Sequence, residues 1–227
     1  MPKLARGLLA GTLLTVLAGF LFASQAPANA MSGAASAVAS TLVVRQLITV
    51  TATSHSTSYA TFRAYQVTGT TKVLVAGPWT ARVGYNGIAA PGQKREGDGR
   101  TPSGTYGFSF FFGVSANPGV AFPFRRAYTY DYWDDDPLSQ HYNTWVDARF
   151  YATGRNPEPL YNIPAYDYAA VIAYNTARTP GLGSAIFLHV STGTATAGCV
   201  SLPTSELLKI LLWLRPADDP TISISAL

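Results

Sequence analysis

The chain has 227 residues, a formal net charge of +4, 12 % charged and 12 % aromatic residues, and a single cysteine. So mild a positive excess gives no reason to expect nucleic acid as a partner, and one cysteine excludes an internal disulfide framework. An apolar share of 48 % excludes a disordered chain and is enough for a sizeable core.

Residues 1–30 read as a secretory leader. Lys3 and Arg6 supply the positive start, residues 8–23 the apolar run, and Ala28-Asn29-Ala30 the small-x-small cleavage pattern. The run is short for a membrane span, which needs about 20 residues; an uncleaved anchor stands as the alternative. Residues 31–44 are rich in Ala and Ser and read as a tether, and residues 45–226 as one folded domain. Residues 46–52 are β-branched and alternating, a strand pattern. Strands over 61–66 and 72–76 follow, joined by the turn Thr68-Gly69-Thr70. Another covers 79–83 and closes on Tyr85-Asn86-Gly87, a tight-turn signal.

Residues 91–105 are dense in Gly and Pro and predict a loop, followed by an aromatic strand over 106–113. Residues 117–164 show little periodicity and are rich in Tyr, Trp and Pro, as in a functional lid or binding loop. Buried strands are expected over 168–174 and 184–190. Pro203 stands at a helix start, with Thr204 or Ser205 as cap, and Leu207, Ile210, Leu211 and Leu214 recur at helical spacing. Pro216 ends this helix, and residues 221–225 form a last strand.

Cys199 has no partner within the chain, although the leader sends the protein to a space where structural cysteines pair. It therefore reads as a reactive thiol or as a pairing site for another molecule. A thiol attacks a carbonyl as thiolate, and an imidazole can take its proton. His189 ends a predicted strand ten residues upstream, and the intervening loop is long enough to bring the two side chains together. The amides of Gly198 and Cys199 would then face the developing oxyanion. The chemistry this implies is acyl transfer through a thioester; a buried, inert cysteine beside a core histidine is the bland alternative.

The segment Ile186-Phe187-Leu188-His189, continued at Gly198-Cys199-Val200-Ser201-Leu202-Pro203, resembles the catalytic signature of the L,D-transpeptidases of the YkuD family. Upstream, Gly97-Asp98-Gly99-Arg100-Thr101-Pro102-Ser103-Gly104-Thr105-Tyr106 is similar to that family's TPxG-aromatic segment. The resemblance covers roughly residues 45–226. It implies a mainly β, sandwich-like or barrel-like fold with one or two short helices, the clearest after the cysteine. It also implies cleavage of the terminal D-alanine from a peptidoglycan tetrapeptide stem and passage of the acyl group to an amine of a neighbouring stem. Cys199 would be the nucleophile, His189 the base, Gly198 and Cys199 the oxyanion hole, and the carbonyl of Val190 or Ser191 the group that orients the base. Three departures mark a divergent branch: Ala197 replaces the histidine two before the cysteine, Ser201 replaces an arginine two after it, and the stretch between base and nucleophile is short. Water in place of the amine would make an L,D-carboxypeptidase, and loss of turnover would leave a silent wall-binding domain.

The implied partners are peptidoglycan stems, met outside the cytoplasm at the cell wall by a monomer with no span after leader cleavage. No cofactor or metal is expected, since His55 and His141 lack ligand spacing. Asp134-Asp135-Asp136 reads as a solvated turn rather than a calcium loop, and Gly97-x-Gly99 is not a phosphate loop. Tyr130, Tyr132, Trp133, Tyr142 and Trp145 suggest a wall over the cleft or plain packing, and Asn175 and Ser201 are candidate substrate contacts.

Overall fold

The computed structural model describes residues 44–227; the leader and all of the tether but Val44 lie outside the described residues. The strands are β1 (Val44–Ala52), β2 (Tyr59–Thr68), β3 (Thr71–Arg82), β4 (Gly104–Tyr106), β5 (Phe108–Gly113), β6 (Phe124–Arg126), β7 (Asp131–Asp134), β8 (Thr144–Asp147), β9 (Glu158–Pro159), β10 (Ala169–Ile172), β11 (Phe187–Val190), β12 (Val200–Leu202) and β13 (Thr221–Ala226). One helix, α1 (Thr204–Trp213), and a 3-10 turn (Pro216–Asp218) lie between β12 and β13. Ten strands in the order β4-β13-β1-β2-β3-β12-β11-β10-β5-β6 make one sheet that curls into a half-barrel. The mainly β expectation therefore holds.

Alternation decides which residues enter the core. In β1 the side chains of Ile48, Val50 and Ala52 are buried while their neighbours are only partly covered, and Ile222 and Ile224 of β13 continue that layer. Helix α1 buries Leu207, Ile210 and Leu211 in the same core, beside β11 and β12. A second cluster, with Phe112, Trp133, Leu160, Tyr166, Val171 and Phe187, joins β5, β10 and β11 to the segment that follows β6. In β11, Leu188 and Val190 belong to the first core and Phe187 to the second, so His189 projects on the Phe187 side.

Several local expectations are revised. The two strands expected over 72–76 and 79–83 are one strand, because Gly77 is absorbed at an irregularity in the pairing with β2. A Cβ at Gly77 would stand 2.5 Å from the Phe62 carbonyl oxygen, and its φ is +90, so only glycine fits there. Helix α1 has Pro203 at its N-cap and no side-chain cap, where Thr204 or Ser205 was expected. Residues 117–164 contain β6 to β9, the last three forming a small sheet in the order β8-β7-β9. Strands of two to four residues are too short to leave a period in sequence.

Candidate active site

Strands β11 and β12 are parallel neighbours, with Leu188 opposite Val200 and His189 opposite Ser201. Their connection crosses the end of β3: Thr196 N–H donates to the Val83 carbonyl at 2.9 Å, and Tyr85 N–H to the Thr196 carbonyl at 2.7 Å. Cys199 is thus delivered immediately before β12, two residues ahead of Ser201, the register partner of His189. Both line a single cavity of about 340 Å³, closed by the 192–198 connection on one side and by residues of the β7-β9 sheet on another.

The upstream Gly/Pro-rich loop is joined to the cysteine through its backbone. Thr101 Oγ1 accepts from Gly84 N–H (2.9 Å) and donates to the Cys199 carbonyl (3.3 Å). A Cβ on Gly198 would meet the Arg100 carbonyl oxygen at 3.1 Å, so glycine before the cysteine lets the two segments close on each other. Within the loop, Asp98 accepts from Lys94 Nζ (2.5 Å), Arg95 N–H (2.8 Å) and Arg100 N–H (2.9 Å).

The Cys199 thiol donates to the Ala185 carbonyl at 3.2 Å and accepts from Phe187 N–H at 3.3 Å. Burial pushes it up to about 12. His189 is equally enclosed, and burial pushes its imidazole down to about 4. The resting pair is therefore neutral thiol and neutral imidazole, because each charged form would lose its water. His189 Nδ1 lies 2.8 Å from the Val190 carbonyl oxygen. A carbonyl can only accept, so Nδ1 carries the proton and the other ring nitrogen keeps its lone pair.

The sequence-derived site residues divide plainly. Cys199, His189 and Gly198 share the cavity. Of the two orienting candidates, it is the Val190 carbonyl that lies against His189 Nδ1; Ser191 donates its N–H to the Leu202 carbonyl and accepts from Gly193 N–H at its Oγ. Gly198 N–H donates to Thr196 Oγ1 at 3.2 Å, and that hydroxyl donates to the Cys199 carbonyl at 2.6 Å. One of the two expected oxyanion amides is thus already engaged. Ser201 is buried beside His189 with its Oγ unpartnered, and is absent from the cavity lining. Asn175 is also outside it; its amide staples the following loop through Thr179 and Gly183.

The chain belongs to the YkuD family of L,D-transpeptidase catalytic domains. The family model matches residues 45–223, and this family acts on peptidoglycan. A comparison with curated proteins finds no match. Among solved structures, the helical cell shape determining protein Pgp2 from Campylobacter jejuni aligns at 14 % identity with a TM-score of 0.39, covering 81 % of this chain. The chain spans 49 % of that protein's length.

Sequence reasoning missed most of this YkuD domain's cavity wall. Lys94, Glu96, Asp135 and Glu158 all line it. Glu96 accepts from Ser184 Oγ at 2.7 Å and from the Tyr142 hydroxyl, and Glu158 from the Tyr166 hydroxyl at 3.0 Å. Asp135 is pushed up to about 7, first by burial and then by the charge of Glu96. The Asp134-Asp135-Asp136 run is therefore no solvated turn: Asp134 is fully buried, bonded to Ser139 Oγ (2.6 Å) and Gly154 N–H (2.9 Å), and Asp135 faces the cavity. None of the five singled-out aromatics lines it. Trp133 packs on Phe187, Trp145 on Phe112, and Tyr142 braces the wall through Glu96. Among the described residues, no group of three or more His, Cys, Asp or Glu is placed to hold a metal ion.

Proposed function

We propose that the protein is an exported cysteine acyltransferase, an L,D-transpeptidase that remodels peptidoglycan through a thioester on Cys199. The observation that carries this reading is the joint placement of Cys199 and His189 on one cavity, with the Nδ1 proton of His189 committed to Val190. In the reaction, Cys199 Sγ attacks the carbonyl of the diamino acid while its proton passes to the free nitrogen of His189. The oxyanion is met by the N–H of Cys199. Collapse breaks the amide bond, and D-alanine leaves as the amine after taking the proton back from His189. The thioester is then attacked by an acceptor amine, which yields a cross-link, or by water, which yields a trimmed stem.

The wall chemistry suits such a substrate. Glu96, Asp135 and Glu158 offer carboxylates to an ammonium group, while the Lys94 ammonium is already held by Asp98. Residues 1–30 are read as the leader that delivers the domain, residues 45–226, to the wall as a monomer. A silent wall-binding domain is the second reading, favoured by the engagement of Gly198 N–H with Thr196.

Incubating residues 31–227 with peptidoglycan tetrapeptide fragments, followed by mass spectrometry, separates these readings. Loss of D-alanine that Cys199→Ala abolishes is the expected result, and a cross-linked dimer or a trimmed monomer names the reaction. No change at high enzyme concentration and long times would leave the silent domain.

A further inference from the structure

The first three strands extend beyond the core that holds them. Residues 71–75 of β3 are exposed in succession, so both faces of the hairpin end are open; Val73 is 54 % exposed and Leu74 and Val75 are each 45 % exposed. The register aligns Leu47, Tyr65 and Leu74 in one cross-strand row and Arg45, Val67 and Lys72 in the next. Residues two apart share a face, so both rows lie on the side opposite Ile48 and Ala64. An apolar row thus adjoins a row with a cation on each outer strand, and the Lys72 ammonium sits 4.1 Å over the Tyr65 ring. The chain also enters the domain here. Val44, itself 40 % exposed, pairs with Thr68 at the hairpin turn.

We propose that this end of the β1-β2-β3 sheet is a membrane-contact surface that docks the domain on a bilayer carrying anionic lipid. Tyr, Lys and Arg suit the headgroup region because each joins an apolar body to a polar tip. Arg45 and Lys72 supply the charge that anionic headgroups attract. Strand β3 also has an open edge, since its pairing with β12 is confined to Arg82 and Ser201. A second copy pairing there is disfavoured by Lys72 on that edge and by Pro78, which has no N–H to donate. The surface lies outside the cavity and does not depend on the acyl-transfer reading.

Residues 41–227 are the material for the test, because the core described above is built within them and the leader's own lipid affinity is removed. Sedimentation with phosphatidylcholine vesicles is compared with sedimentation when about 30 % of the lipid is phosphatidylglycerol. Binding is expected to the anionic vesicles only, weakening with salt. Arg45→Gln with Lys72→Gln should weaken it by about 25-fold, at about five-fold per cation. Leu74→Ser with Val75→Ser should weaken it by about ten-fold while leaving the melting temperature unchanged, since both positions are exposed. Absence of binding to either vesicle, or equal binding by wild type and both variants, would overturn the proposal. A dimer in light scattering that Leu74→Ser dissolves, without lipid binding, would assign the surface to a second copy.

Discussion

Cys199 and His189 illustrate how burial alone sets the resting state of a nucleophile and its base. The thiol is held up at about 12 and the imidazole down at about 4, both first by loss of water. The proton therefore stays on sulfur until a substrate carbonyl offers the negative charge a better place than the thiolate. Alkylation of Cys199 by iodoacetamide should be at least about ten-fold slower than that of free cysteine at pH 8 and should climb steadily above pH 10. A plateau of fast alkylation below pH 8 would show a standing thiolate and contradict the neutral pair. Slow alkylation is expected of an active enzyme as much as of a silent one, so only a product assay distinguishes them. Thr196 belongs to the same scale: its hydroxyl joins Gly198 N–H to the Cys199 carbonyl. Thr196→Val removes both bonds at nearly constant volume and leaves the Gly198 N–H free to meet the oxyanion, so acylation of Cys199 by an activated ester should rise about ten-fold or more. Thr196→Ser should keep the wild-type rate; equal rates in all three proteins would show that this engagement does not limit catalysis.

Among the elements, the strand that carries His189 was legible, whereas β12, its parallel pairing with β11 and the small β7-β9 sheet were not. His189 and Cys199 sit in one short stretch with a distinctive glycine, and the strand around His189 is apolar throughout, so local pattern is enough. The wall facing them comes from Lys94, Asp135 and Glu158, which no local signal connects to Cys199. Only the fold brings Asp135 to the cavity, through a four-residue strand and the buried bonds of its neighbour Asp134. The departures at Ala197 and Ser201 were visible, but the hydroxyl of Thr196 taking the Gly198 amide depends on the loop conformation and was not. Asn143 shows how firmly the small sheet is tied in. Its Oδ1 accepts from Trp133 Nε1 (2.8 Å) and Ala185 N–H (3.2 Å), while its Nδ2 donates to the carbonyls of Tyr174 (3.3 Å) and Asn175 (2.9 Å). The Ala185 carbonyl in turn holds the thiol. Asn143→Ala strands four polar groups and should cost about 3 kcal/mol in urea unfolding. Asn143→Asp keeps the acceptor but sets a carboxylate oxygen against the Tyr174 and Asn175 carbonyls, so its cost should grow as the pH rises through the carboxylate range; a loss that does not change with pH would place the energy in packing rather than in these bonds.

For the molecule as a whole, one sheet serves two cores, and the cavity opens where the smaller sheet meets the larger. That placement encloses His189, with a consequence for folding stability. Below the ordinary 6.5 the unfolded chain takes up a proton on this imidazole, while the folded chain refuses it down to about 4. The stability associated with the neutral ring is therefore present above pH 6.5, falls as the pH falls, and is gone below about 4. The shift corresponds to about 3 kcal/mol. Asp135 acts in the opposite sense. Burial and the charge of Glu96 raise it to about 7, so its contribution is present below 3.8 and is lost as the pH rises through about 7. The two windows overlap, and a single acid titration of the wild type would show only their difference. His189→Asn separates them, because asparagine keeps an N–H near the Nδ1 position for the Val190 carbonyl and cannot titrate. Between pH 7 and pH 4 the wild type should lose about 3 kcal/mol more unfolding free energy than the variant. Parallel curves would mean that solvent reaches His189 in the folded protein, and the water-excluded proton acceptor assigned to it would have to be abandoned.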